Sequence, residues 1–323
     1  MAELTRRRLL AGLSAVAVSP ALAQTEWPNR PVMLVHGFPP GGPVDTLSRI
    51  LAEALSRRLG QSVIVEPKPG ATGTTAAAHV AHAKPDGYTL MAVPATYVAT
   101  SAMLRQLPYR PIDDFSFIST TAEYPLVIVT HAESSIKSLA DIVALAEHRS
   151  TPLQYGTAGT GSLQHLSMEL LAKQAGIKLQ HIPYRGGAPA ITDLLGQRLD
   201  LVIDPPTALM QLVADGKLRA LVVTGSTRFS ALPSVPTVAE SGFPGFAVTA
   251  YQGIAAPAGL SDELMQKLNK LIADTLGDPA VGEQMRKVGN TPSPSSPEQF
   301  KKRLMADITL WGKLIADASI ARI

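Results

Sequence analysis

The stretch Pro31-Val-Met-Leu-Val-His-Gly-Phe-Pro-Pro-Gly-Gly-Pro-Val-Asp45, running on into a helical pattern over 46–59, decides how this chain is read. Residues 32–35 form a short apolar run of strand character, Gly41-Gly42 makes a turn, and Pro43 stands where a first helical residue is favoured. Val44, Leu47, Ile50, Leu51, Ala54 and Leu55 then recur at helical spacing until Gly60. Such a strand–glycine turn–helix unit leaves main-chain N–H groups at the helix start without intrahelical acceptors, and the helix dipole adds partial positive charge there. Negative groups are favoured at that place by about 0.3–1 kcal/mol per contact. The loop is therefore expected to hold one end of a small anionic ligand.

Working outward, the same alternation repeats. Strands at 62–66 and 88–93 flank a small-residue helix at 74–83, an order that implies parallel strands with right-handed crossovers. A strongly β-branched strand at 126–130 and a helix at 139–147 follow. A second βαβ series then reads as a strand from Gln154, a helix at 162–175, a strand at 178–182, a helix at 188–195 and a strand at 199–203. It continues with a short helix at 208–214 and a strand at 218–224. Beyond a proline-rich passage, 248–255 is extended and helices at 262–276 and 297–318 close the chain. In the last of these Phe300, Leu304, Ile308, Trp311 and Ile315 share one face. The expectation is an α/β protein of two lobes, each a mostly parallel sheet flanked by helices, with a ligand cleft between them. The lobes are expected at 24–122 plus 250–323 and at 123–249, joined by extended segments near 118–130 and 247–256.

A chain of 323 residues with 46% hydrophobic and 17% charged residues suits one large or two medium globular units. Residues 1–23 read as an export signal: Arg6-Arg7-Arg8, the apolar run 9–18, and a small-residue cleavage site at Ala21-Leu22-Ala23. The apolar run is far shorter than the roughly 20 residues that span a bilayer. Thr5-Arg6-Arg7-Arg8-Leu9-Leu10 also resembles a twin-arginine signal, and Sec and twin-arginine export both remain open. Losing residues 1–23 removes three arginines and one glutamate and lowers the formal charge from +3 to +1. No basic field remains for nucleic acid. With no cysteine there is no disulfide, thiolate metal site or lipid-modified cysteine, so a soluble periplasmic protein is expected.

A second glycine turn, Tyr155-Gly-Thr-Ala-Gly-Thr-Gly-Ser-Leu-Gln-His165, precedes the helix at 162–175. Ser162 either faces a ligand or caps its own helix, and His165 either faces the same ligand or packs. Tyr184-Arg185-Gly186-Gly187 is a third loop of this kind, and Asp204 either faces the cleft or caps the turn before Pro205-Pro206.

Several ordered motifs carry a family resemblance: Phe38-Pro-Pro-Gly-Gly-Pro-Val-Asp45, Val65-Glu-Pro-Lys-Pro-Gly-Ala-Thr-Gly73, Pro85-Asp-Gly-Tyr-Thr-Leu90, Ala158-Gly-Thr-Gly-Ser-Leu-Gln-His165 and Pro183-Tyr-Arg-Gly-Gly-Ala188. So do Gly216-Lys-Leu-Arg-Ala-Leu221, Leu232-Pro-Ser-Val-Pro-Thr-Val-Ala-Glu-Ser-Gly242 and Gly253-Ile-Ala-Ala-Pro-Ala-Gly259. Taken together, the chain resembles the Bug (Bordetella uptake gene) family, the extracytoplasmic receptors of tripartite tricarboxylate transporters. The resemblance implies a type II periplasmic binding protein that closes around a carboxylated small molecule, held by main-chain amides and ordered water. It implies a pocket of Phe38, Gly41, Gly42 and Asp45, an opposing wall of Gly161, Ser162 and His165, and Asp204, Ala95 and Thr96 beside them. It also implies a membrane permease of the tripartite tricarboxylate type, or a sensor protein, as partner; a monomer with no cofactor or metal is expected. Val44 stands where the family usually has threonine, and 97–103 lacks an asparagine often found there.

A serine hydrolase built on Ser162, His165 and Asp204 is the rival reading, against which stands the absence of G-x-S-x-G. A nucleotide-binding enzyme would need G-x-x-x-x-G-K-[ST] or G-x-G-x-x-G, and neither occurs. His36, His79, His82 and His165 lack a carboxylate motif for a metal.

Overall fold

The computed structural model describes residues 27–317 and 320–322, so the expected export signal lies outside the described residues. The first half alternates: β1 (Val32–His36), α1 (Pro43–Leu59), β2 (Val63–Pro67), α2 (Thr74–Ala81), β3 (Thr89–Pro94), α3 (Thr96–Met103) and β4 (Phe115–Pro125). The chain then crosses into β5 (Val127–His131), α4 (Leu139–His148), β6 (Leu153–Thr157), α5 (Leu163–Ala175), β7 (Leu179–Pro183), α6 (Gly187–Leu195), β8 (Leu201–Asp204), α7 (Pro206–Ala214) and β9 (Leu218–Val223). It returns through β10 (Thr249–Pro257), α8 (Asp262–Leu276), α9 (Pro279–Lys287), β11 (Thr291–Pro292) and α10 (Pro297–Asp317).

Two sheets result, ordered β11-β4-β10-β3-β1-β2 and β7-β6-β8-β5-β9. They bear out the two-lobed α/β expectation, but both are mixed rather than mostly parallel. The βαβ units β2-β1-β3 and β7-β6-β8 are parallel, because a helix carries each chain back to the same end of its sheet. The strands that leave or re-enter a lobe run the other way: β10 is antiparallel to β3 and β4, and β5 to β8 and β9. Crossing strands have no helix to reverse them, which spacing along the sequence does not reveal.

The apolar runs of the central strands are buried on both faces, while the edge strands β2 and β7 are partly exposed. One face of the first sheet packs on α1, α8 and α9 through Leu47, Leu51, Leu268, Ile272 and Met285, and one face of the second on α6 and α7 through Ile191, Leu194 and Leu209. The other faces share a single continuous core with α3, α5 and α10, which includes Tyr155, Leu166, Phe300 and Trp311. The two crossings lie side by side and are tied by Thr224. Its hydroxyl accepts from Leu126 N–H (2.9 Å) and donates to Val248 O (2.7 Å), while its main chain bonds to the same two residues.

Candidate functional site

The first glycine loop is held from beneath. His36, at the end of β1, and Asp45, in the first turn of α1, are buried, with His36 Nε2 2.9 Å from Asp45 Oδ1. His36 Nδ1 accepts from Phe38 N–H (3.4 Å), so the ring proton sits on Nε2 and is donated to the carboxylate. Asp45 Oδ2 accepts from Gly41 N–H (2.9 Å), and Arg49 donates to both carboxylate oxygens at 2.8 and 3.0 Å. Burial works against the ionised carboxyl, but the bonds from Arg49, Gly41 and His36 outweigh it and hold Asp45 at about 2. Gly41 adopts φ +77°, a left-handed conformation that other residues enter at a cost. Asp45 therefore shapes the loop from inside and uses up the Gly41 amide. The N–H groups of Val44 and Asp45 come before the first helical bond of α1, Thr46 N–H to Gly42 O (2.9 Å), and Gly42 supplies no side-chain cap.

The second loop is folded onto itself. Ser162 Oγ accepts from His165 N–H (3.2 Å) and caps α5, Gly161 N–H donates to His165 Nδ1 (3.3 Å), and Gly159 N–H donates to Thr157 Oγ1 (3.2 Å). The His165 ring stacks on His181 at 4.0 Å between centroids. A side chain at Gly161 would meet Met103 at 2.9 Å, because this turn packs directly against α3 of the other lobe. Ser162 and His165 are buried among these partners and do not hydrogen bond to each other as nucleophile and base would. Ala95 is also buried, its N–H donated to Tyr251 O (2.9 Å).

Between the lobes lies a cleft of about 780 Å³. Phe38, Gly41, Gly42, Thr96 and Asp204 line it; Asp45, Ala95, Gly161, Ser162 and His165 do not. Four helices begin at its wall: α1 at Pro43 and Val44, α3 at Thr96, α6 at Gly187 and Ala188, and α7 at Pro206 beside the lining residues Pro205 and Thr207. The strands that feed them end there, as ligand crevices of open α/β sheets require. The wall facing the first loop is the Arg185-Gly186-Gly187 turn, with Gln164 beside it, rather than the 159–161 turn. Arg185 and Asp204 are the charged side chains in the lining. Contacts between lobes flank the opening: Thr207 Oγ1 donates to Val288 O (2.7 Å) and accepts from Asn290 Nδ2 (2.9 Å).

Sequence reasoning passed over Gln164, Arg185, Gly187, Tyr124 and Thr207 as site residues. The loop at 184–187 carried the same glycine-turn signature as the first, which was the available signal. Tyr124 and Thr207 had none, because they reach the cleft only through the crossing strand β4 and the antiparallel placement of β8.

The sequence profile of the tripartite tricarboxylate transporter family receptor matches residues 47–320. This chain belongs to that family. Among solved structures, this chain resembles R. palustris Rpa4515 with adipate at 34% identity and TM-score 0.87, covering 92% of this chain and 100% of that one. It resembles the periplasmic binding protein BugD at 32% and 0.85, covering 91% and 99%. MatC (Rpa3494) from Rhodopseudomonas palustris with bound malate matches at 31% and 0.82, covering 89% and 99%. The Bug-type resemblance and the two-lobed fold expected from the motifs are thus both found.

Proposed function

We propose that this family member is a periplasmic receptor that binds a small carboxylated metabolite in the interlobe cleft and delivers it to a membrane permease of the tripartite tricarboxylate type. The observation that carries the reading is the convergence of four uncapped or glycine- and proline-led helix starts on one cleft of about 780 Å³, a size suited to a small molecule. The first-turn N–H groups that lack an intrahelical partner, and the positive dipole ends, favour a carboxylate without a buried cationic clamp. The adipate and malate bound to relatives of the same fold support an acid as the ligand class.

In this reading the carboxylate sits at the start of α1, and its outward amides, rather than Asp45 or Ser162, make the contacts. The lobes, 24–122 with 250–323 and 123–249, turn about the crossings near 118–130 and 247–256, and ligand binding shifts them toward the closed form that the permease recognises. The protein acts as a monomer after losing 1–23 near Ala23.

Calorimetry and thermal unfolding against di- and tricarboxylates, aromatic acids and acidic amino acids test this. A true ligand stabilises the fold by about 2.7 kcal/mol at a hundredfold excess over Kd. Failure of every acid to bind, or hydrolysis of an activated ester that Ser162→Ala abolishes, would overturn it. Mass spectrometry of ligand carried through purification identifies the natural acid.

A further inference from the structure

The carboxylate-binding reading accounts for the helix starts around the cleft and leaves two polar side chains of the wall opposite α1 without a role. There Gln164 Nε2 donates to Asp204 Oδ1 (3.0 Å), a bond that fixes which end of the amide points where. Asp204 is 2% exposed and Gln164 7%, and both line the cleft. Among the described residues nothing donates to the remaining two oxygens, Asp204 Oδ2 and Gln164 Oε1. Oδ2 is buried against the main chain at the start of α6, where a Cβ on Gly187 would overlap it, so only glycine fits beside the carboxyl. Tyr124 stands on the same wall, close enough for the Asp204 charge to add to burial in raising its phenol, yet it does not hydrogen bond there.

Two free acceptors in one buried pair demand donors, since an unsatisfied buried polar atom costs about 1–3 kcal/mol and a charged one more. Burial alone drives the Asp204 carboxyl up to about 7, against the opposing pull of the Gln164 bond. Above about 7, where the carboxyl is ionised, a second carboxylate placed here would add acceptors to acceptors.

We propose that Asp204 and Gln164 form a donor-seeking subsite, so that the preferred ligand is a carboxylic acid bearing a hydroxyl or ammonium group that donates to Asp204 Oδ2 and Gln164 Oε1. The inference rests on the carboxylate reading for the other end of the ligand. It assigns α1 the acid group common to many metabolites and assigns the β8–α6 wall the choice among them.

Matched acids test it by calorimetry on the exported protein: succinate with malate and aspartate, glutarate with 2-hydroxyglutarate and glutamate, and adipate. The expected result is that a hydroxy or amino member binds about tenfold or more tighter than its unsubstituted partner. Either donor chemistry supports the subsite, and the hydroxy–amino comparison tells which is used. In Asp204→Asn, whose side chain keeps its volume and its acceptor for Gln164 but presents an amide donor to the cleft, the preference disappears or inverts. Gln164→Met, which removes the other free acceptor, weakens the preference too. Thermal unfolding confirms that each variant is folded. Equal affinity across a matched set, or a preference that survives Asp204→Asn, overturns the subsite. Binding of none of the acids instead overturns the carboxylate reading itself.

Discussion

Asp45 accepts from an imidazole, a main-chain amide and a guanidinium at once, and each partner depends on its charge. Replacing one oxygen by an amide sets donor against donor inside a buried cluster. Asp45→Asn is therefore expected to lower stability by about 1–3 kcal/mol in urea unfolding and to weaken acid binding by disordering the loop. Unchanged stability would show that the clasp is redundant. Asp204 is the converse case. Asp45 is a buried carboxylate with every oxygen matched and a depressed pKa, whereas Asp204 is one with an oxygen to spare and a raised pKa. Both aspartates were legible in the sequence as candidates, but which of the two faces a ligand was not, because charge type and position say nothing about where neighbouring donors lie.

At the scale of elements, α5 and the two crossings carry the contrast. Ser162 caps α5 through His165 N–H, so Ser162→Ala should cost about 1 kcal/mol of stability while leaving acid affinity within about twofold. A large affinity loss at unchanged stability would put Ser162 back in the binding wall. Thr224 joins the crossings with both ends of its hydroxyl used and no exposure. Thr224→Val leaves Leu126 N–H and Val248 C=O unpaired and is expected to lower the unfolding free energy by about 1–3 kcal/mol. Thr224→Ser, which keeps the hydroxyl, should recover most of it, and failure to do so would argue that packing of the methyl matters more. Sequence spacing found α1, α5 and α6 because their glycine turns and apolar stripes are strong local signals. It missed α3, whose residues are buried almost throughout and so show no polar face, and α9, which is only nine residues long and contains Gly282.

For the molecule as a whole, pH dependence sums opposing contributions. Burial lowers the pKa of His36 and His165 and takes His181 to about 3, with the neighbouring His165 adding to the effect. The unfolded chain takes up protons on these rings first, so their contribution is lost as pH falls below about 6.5. Asp204 acts in the opposite sense. Its folded carboxyl titrates near 7, above the ordinary aspartate value, so its contribution is largest in acid and is lost as pH rises through about 7. Three rings against one carboxyl leave a net loss on acidification, with each group contributing a slope of at most about 1.4 kcal/mol per pH unit. Urea unfolding at a series of pH values from 7 to about 4 should show this fall. Asp204→Asn should make it steeper and His181→Gln shallower. A flat profile in the parent, or identical profiles in the variants, would contradict these ionisation states.

The amino-acid pattern by itself determined that the chain is α/β, that it is built from strand–glycine turn–helix units, that it resembles a receptor family, and that helix starts are where an anion would sit. Those features are local: they follow from apolar periodicity and from the few residues that can turn sharply. Only the tertiary structure decided that the 159–161 turn packs against α3, that the 185–187 turn faces the first loop in its place, and that Asp204 keeps one oxygen free. These depend on two antiparallel crossings bringing distant segments together, and a contact between residues far apart along the chain leaves no periodic trace in it.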